Sequence, residues 1–387
     1  MNRLSGYHIM IVSIYFETIK DYINLELVCK KFRGNMEKFH FNPIPLNSKT
    51  LGYFPNIETL HLWDKKDENF GNGFMINTEK MEIVKIKVVL KKEFFRTIVW
   101  FNVDFETVDR NKNRNIEFKN VTYTKNDRKK FGNNIPSSVT SIGYDCFSGC
   151  SSLSSVTIPS SVKSIGYYCF YRCSSLSSIT IPSSVTSIGD DCFSECSSLS
   201  SVTILSSVTS IGGGCFFECS SLSSVTIPSS VKSIGDHCFN RCSSLSSVTI
   251  LSSVTSIGEY CFNECSRLSS INIPLSVTSI GDSCFDRCSS LSSITIPSSV
   301  KSIGDHCFSE CSSLSSVTIP SSVRSIGEKC FRKCSNFSSI TIPSSITLIG
   351  YWCFSECSSL SSITIPLSMT STTLIECFPS NTVVHQN

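Results

Sequence analysis

From Ile135 onward, apolar and polar positions fall in a fixed order that recurs every 23 residues. The first copy runs Ile135-Pro136-Ser137-Ser138-Val139-Thr140-Ser141-Ile142-Gly143, then Tyr144-Asp145-Cys146-Phe147-Ser148-Gly149-Cys150, then Ser151-Ser152-Leu153-Ser154-Ser155-Val156-Thr157. Further copies begin at Ile158, Ile181, Ile204, Ile227, Ile250, Ile273, Ile296, Ile319 and Ile342, with no insertion or deletion among the first ten. A strict period of this length marks a solenoid.

Within a copy, Leu153, Val156 and Ile158 are spaced as in a strand of the leucine-rich-repeat type. Val156 and Ile158 share one face, while Ser155 and Thr157 share the other. Pro159 lacks a backbone donor and ends the strand. Val162 and Ile165 form a second inward stretch. Gly166 is expected to supply the positive φ of a sharp corner. Cys169, Phe170 and Cys173, at i, i+1 and i+4, predict one face of a single helical turn.

One copy cannot cover its own apolar side, so copies must stack. The expected fold is an α/β repeat solenoid with a parallel sheet, one short helical turn per repeat and a small helical N-terminal segment. At about 4.8 Å per turn, ten or eleven turns give a rod or shallow arc roughly 50 Å long. The eleventh copy, from Ile365, degenerates into Pro379, Asn381 and a polar tail, which reads as a C-terminal cap.

The unit Ile-Pro-Ser-Ser-Val-x-Ser-Ile-Gly-x-x-Cys-Phe-x-x-Cys-Ser-x-Leu-Ser-Ser resembles the BspA-like leucine-rich-repeat family over about two thirds of the chain. The resemblance implies a solenoid associated with adhesion and protein binding. The family usually has Ala before the Phe. Here every copy has Cys: Cys146, Cys169, Cys192, Cys215, Cys238, Cys261, Cys284, Cys307, Cys330 and Cys353.

The first third is less regular. Residues 5–40 read as helices, with Asp21 an N-cap. Asn24-Leu25-x-Leu27-Val28-Cys29-Lys30-x-Phe32 resembles the second half of an F-box, without the leading Leu-Pro. That resemblance implies docking to the Skp adaptor of a cullin ubiquitin ligase, with Leu25, Leu27, Val28 and Phe32 as contacts. The alternative is a helix pair that seals the solenoid end. Phe54–Leu62 reads as one divergent repeat strand. Residues 82–124 read as irregular early turns, alternation being clearest at Ile86, Val88 and Leu90. The expected division is 1–45, 46–134 and 135–387.

Charge separates the regions. Residues 1–134 hold 23 Lys/Arg and 16 Asp/Glu, while 135–387 hold 11 and 15, so a basic segment precedes an acidic one. The longest basic run is only Arg128-Lys129-Lys130, too short for a phosphate-binding stripe, and no nucleic-acid partner is expected. No apolar run reaches the 18–20 residues of a membrane span. Tyr7–Phe16 reads as a helix rather than a secretion signal. His385-Gln386-Asn387 carries no retention or prenylation signal. The location expected on these features is the cytoplasm, with the cell surface by an unconventional route as the alternative.

Cysteine dominates the candidate chemistry, with 22 in the chain and ten pairs spaced Cys-Phe-x-x-Cys. That spacing is one residue longer than a zinc knuckle and offers no exposed ligand loop, so no metal is expected. Neighbouring turns lie within bridging distance, which keeps disulfides open. Buried reduced thiols, small hydrophobes in the place of Ala, are the favoured reading. His237 and His306 precede Cys directly but would not face it on a helical turn. Gly212-Gly213-Gly214 lacks the Lys-Ser/Thr of a phosphate loop. No cofactor is expected, and no enzyme.

Four positions per copy vary: the two before Cys-Phe and the two after. Tyr167, Tyr168, Tyr171, Arg172, His237, Arg241, Arg332, Lys333, Tyr351 and Trp352 would project from the helical side, and Tyr, Trp and Arg are favoured at binding hot spots. Drift at solvated positions explains the variation equally simply. The strand face is a Ser/Thr array, either a hydrogen-bonding surface or a solvated face kept free of sticky groups. The function expected is a non-enzymatic protein-binding scaffold, adhesive or surface-associated, with an F-box-type receptor as the alternative.

Overall fold

The computed structural model describes residues 6–28, 30–74, 92–367, 369 and 377–386. It divides into two compact units, Met1–Tyr123 and Thr124–Asn387. The alternation at Ile86, Val88 and Leu90 and the F-box-like Cys29 lie outside the described residues.

Unit 1 begins with α1 (Gly6–Ser13) and α2 (Ile19–Val28). Tyr22 anchors α2: it is fully buried, donates its hydroxyl to the Ser13 carbonyl, and meets Phe16, Phe39 and Phe54 edge-on. Three parallel strands follow, β1 (Thr59–Leu62), β2 (Arg96–Val99) and, beyond β3 (Val103–Asp104) and α3 (Phe105–Arg110), β4 (Ile116–Phe118). Leu60, Leu62 and Val99 point inward and are buried. The order is β1-β2-β4, with His61 opposite Ile98 and Ile98 opposite Glu117. β3 pairs with β5 (Val121–Tyr123).

Unit 2 opens on α4 (Lys125–Phe131), started by a capping box in which Thr124 and Asp127 satisfy each other's backbone donors. Arg128 then donates to the Cys146 carbonyl at 2.6 Å, and Lys125 pairs with Asp145 at 2.5 Å, tying α4 to the first repeat turn.

The repeats stack in parallel with no slip. One ladder aligns Ile142, Ile165, Ile188 and their equivalents through Ile349, each pair 23 residues apart. The other aligns Ser-x-Thr strands, such as Ser224–Ile227 on Ser247–Ile250. The inward residues make columns: Val162, Ile165, Cys169, Phe170, Cys173, Leu176, Ile179 and Ile181 are all buried, and so are most of their equivalents in the copies that follow. The Phe column is a continuous stack, with ring centroids 5.0 Å apart at Phe147–Phe170 and 5.5 Å at Phe285–Phe308. Regular strands and a 23-residue period make unit 2 a parallel β-solenoid.

The third side of each turn is not helical. Where one turn of helix was expected around Cys169-Phe170-x-x-Cys173, the backbone makes i→i−3 turns, Tyr171 to Tyr168 and Cys173 to Phe170, each at 3.1 Å. The remaining amides bond across turns: Tyr168, Phe170 and Arg172 donate to Asp190, Cys192 and Ser194. The cause is left-handed backbone at the residue before each Cys, with φ of 52° at Tyr168 and 57° at Arg172. Such residues end any α-helical run and cost conformational energy outside glycine. Here the cross-turn bonds offset that cost.

The corner glycines also act differently from expectation. Gly166 has no positive φ; instead, a Cβ there would lie 2.8 Å from backbone atoms of Gly143 and Tyr144. Gly281 and Gly350 show the same clash against the backbone of the preceding turn. Glycine is required because successive turns touch backbone to backbone at this corner.

Candidate binding surface on the turn side

The left-handed positions place side chains outward in two columns along unit 2. The column before the second Cys reads Arg172, Glu195, Glu218, Arg241, Glu264, Arg287, Glu310, Lys333 and Glu356. Cations and carboxylates mostly alternate, and neighbours pair. Arg172 lies 2.8 Å from Glu195, Arg241 lies 2.7 Å from Glu218 and 3.4 Å from Glu264, and Arg287 bridges Glu264 and Glu310 at 3.3 and 3.4 Å. Lys333 reaches Glu310 at 3.1 Å, and Arg332 pairs with Glu356. Hydrogen bonding from Arg172, with help from the Tyr171 hydroxyl, holds Glu195 below the usual carboxylate range. A shallow groove of about 690 Å³ runs beside this column, floored by Ser151, Ser174, Ser197, Ser220 and Ser243.

A further column, directly after the corner glycine and outside the left-handed positions, carries Asp190, Asp236, Asp282 and Asp305. Each accepts the backbone amide of the next turn, from Gly213 N–H to Asp190 at 2.9 Å through to Glu328 N–H to Asp305 at 2.7 Å. These carboxylates cap turns. Where Gly213 and Gly214 remove two side chains, a notch of about 390 Å³ opens among Asp190, Asp191, Phe217, Asp236 and His237.

The expected binding residues separate into two groups. Arg172, Arg241, Arg332 and Lys333 are engaged within the charge column. Tyr171 is held by Glu195 at 2.7 Å beneath the Arg172 guanidinium, and His237 stacks on Tyr260 at 4.9 Å. The other group keeps large exposed ring faces: Tyr167 (56%), Tyr168 (39%), Tyr351 (70%) and Trp352 (43%), with Tyr168 hydrogen-bonded to Asp191 and Trp352 met by Lys329 at 4.9 Å. Tyr144, at 66% and in edge contact with Tyr168, belongs with them; its place two residues before Cys146 in the sequence would have found it. Of the adaptor-type residues, Leu27 and Val28 are 75% and 81% exposed at the end of α2, while Leu25 and Phe32 are half-buried.

Among the described residues the thiols lie inside, with Cys150 half-buried. All 21 described cysteines are unbridged. Each second-column thiol from Cys173 to Cys357 donates to the carbonyl of the preceding turn's Phe, at 3.2 Å for Cys173 to Phe147 and 3.0 Å for Cys357 to Phe331. Burial raises their pKa, to about 12 at Cys357, so they remain neutral donors and poor nucleophiles. Among the described residues no three His, Cys, Asp or Glu are placed to hold a metal, and no helix is long and apolar enough to cross a membrane.

A family model described as the BspA type leucine rich repeat region matches residues 118–243, 198–315 and 278–383. A comparison with curated proteins finds no match. Among solved structures, a leucine-rich repeat protein from Bacteroides ovatus is 25% identical with a TM-score of 0.47, over 86% of this chain and 84% of its own. A leucine rich cell surface protein from Faecalibacterium prausnitzii is 30% identical with a TM-score of 0.38, over 64% and 83%. The pneumococcal vaccine antigen PcpA is 20% identical with a TM-score of 0.43, over 70% and 66%.

Proposed function

Because the chain belongs to the BspA-type leucine-rich repeat family, we propose that it is a non-enzymatic scaffold that binds another protein along the turn side of unit 2. The observation that carries this reading is the division within that side. Its charged column is neutralised internally, whereas Tyr144, Tyr167, Tyr168, Tyr351 and Trp352 are left open to solvent. Aromatic side chains offer large, stiff contact areas and dominate interface energetics. The mechanism is passive: in-register stacking fixes the spacing of the anchors before a partner arrives, so little ordering entropy is lost on binding.

The absence of an enzymatic role is supported by what the candidate chemical groups already do. The thiols donate to carbonyls, the aspartates cap turns and the glutamates pair with arginines. A surface-associated setting is compatible with this reading, since thiols shielded in the core need no reducing compartment. The adaptor-docking alternative gains nothing from the family match, which begins at residue 118. The test is loss of partner recovery when the exposed aromatics are replaced by Ser in the full chain.

A further inference from the structure

The outward face of the unit 1 sheet differs from that of unit 2. In unit 2 the strand face presents Ser and Thr, as at Ser224, Thr226, Ser247 and Thr249. In unit 1 the equivalent alternation, with Leu60 and Leu62 inward, turns His61 and Trp63 outward from β1 and its end, Ile98 and Trp100 from β2 and its end, and Glu117 and Lys119 from β4 and its end. Phe41 joins them through its bridge to Thr59.

These rings form one patch. Phe41 stacks on His61 at 5.0 Å, and His61 meets Trp63 at 5.5 Å and Trp100 at 5.9 Å. Phe41 and Trp100 remain 36% and 38% exposed. Two of the three tryptophans of the chain lie here. On one flank, Arg96 and Lys119 both pair with the single carboxylate of Glu117, and Lys119 lies 5.7 Å from the Trp100 ring. On this flank two cations share one anion and leave a positive charge beside Trp100, while Asp67, which accepts the Trp63 amide at 2.7 Å, sets a carboxylate at the opposite end of the patch. Burial, then Lys119 and Arg96, lower the pKa of His61, so its ring is a neutral stacking surface near pH 7.

Small ligands need a concavity that encloses most of their surface. A cavity of unit 1, lined by Asn72, Phe94, Thr97 and Arg114 among others, touches none of these rings. The face therefore suits a macromolecule. One uncompensated positive charge is too little to hold a phosphate backbone, whose binding scales with the number of phosphates neutralised. It suffices to favour a carboxylate over an ammonium next to an apolar anchor.

We propose that the strand face of unit 1, centred on His61, Trp63 and Trp100, docks a protein segment that presents an acidic side chain beside an aromatic or aliphatic one. The surface is separate in residues from the turn side of unit 2, so either can fail alone.

The experiment pans a phage-displayed library of random 12-residue peptides on the full chain, then titrates the synthesised winner by calorimetry. Winners enriched in Asp or Glu next to an apolar residue are expected. Binding should weaken at least tenfold in Trp100→Ala, and at least tenfold in Arg96→Gln/Lys119→Gln, a surface pair whose melting curve should match the parent. Raising the salt to 0.5 M should weaken the parent and leave the Gln pair nearly unchanged. Basic winners, equal affinity for all variants, or binding of oligouridine in place of peptide would each overturn the proposal.

Discussion

The thiol of Cys265 lies 3.2 Å from the carbonyl oxygen of Phe239, twenty-six residues earlier, and donates its hydrogen to it. Both residues are fully buried, and the contact recurs turn after turn. The cysteine is thus a filler and a donor at once. Cys265→Ala should cost about 1–2 kcal/mol in urea unfolding, from the lost bond and the small void. Cys265→Ser keeps a donor and should cost less. A serine variant weaker than the alanine one would mean that the thiol acts only as a hydrophobe.

Alkaline pH should unfold the solenoid abruptly. Burial holds the repeat thiols neutral, so their folded pKa lies above the unfolded value near 9, and at Cys357 it reaches about 12. Stability is therefore complete below about pH 9. It falls as the unfolded chain releases protons, by about 1.4 kcal/mol per buried thiol per pH unit. Circular dichroism against pH should show a sharp loss of strand signal shortly above pH 9. Replacing the cysteines of several central turns with Ala should move that loss to higher pH. In the same range, half-buried Cys150 should react with a thiol reagent before the other cysteines of the repeats.

A methyl group at the glycine corner should be poorly tolerated. In Gly281→Ala the new Cβ would lie 2.6 Å from the Glu259 amide nitrogen and 2.7 Å from the Gly258 carbonyl carbon, neither of which can rotate away. A loss of roughly 1–3 kcal/mol is expected. Gly52→Ala, which meets nothing within 4 Å, is the control and should be near neutral.

The charge column should make stability depend on salt. Arg241→Glu would place Glu195, Glu218, residue 241 and Glu264 in one row of like charges. The melting temperature should fall by a few degrees in low salt and recover toward that of the parent in 0.5 M salt, where the Debye length shrinks to a few ångströms. No recovery would mean that Arg241 acts through packing over Phe217, whose ring it covers at 5.9 Å.

Much of this molecule is legible in the sequence. The 23-residue period sets the stack, and the two-residue alternation sets which side of Ser155-Val156-Thr157-Ile158 faces the core. The turn at Cys169-Phe170-x-x-Cys173 is not legible, because apolar residues at i, i+1 and i+4 fit a helical turn and a pair of tight turns alike. Left-handed backbone usually announces itself by glycine or asparagine, yet here Tyr168, Arg172, His237 and Glu264 adopt it. What drives them there is bonding between turns, which no single copy displays. The role of Gly166 is hidden in one copy for the same reason, since its constraint is the neighbouring turn. Of the residues proposed for binding, the exposed aromatics stand at positions that vary between copies. The pairing of Arg241 with Glu218 and Glu264 becomes visible only when the copies are aligned in a column.

The most direct test of the scaffold reading is quantitative recovery of bound proteins from native cells. Full-length chain is compared with a full-length variant carrying Tyr144→Ser, Tyr167→Ser, Tyr351→Ser and Trp352→Ser, after matched melting curves show that both are folded. The account predicts one or a few proteins enriched on the parent and reduced at least tenfold on the variant. The same proteins recovered in equal amounts from both would contradict it and move binding away from the turn side.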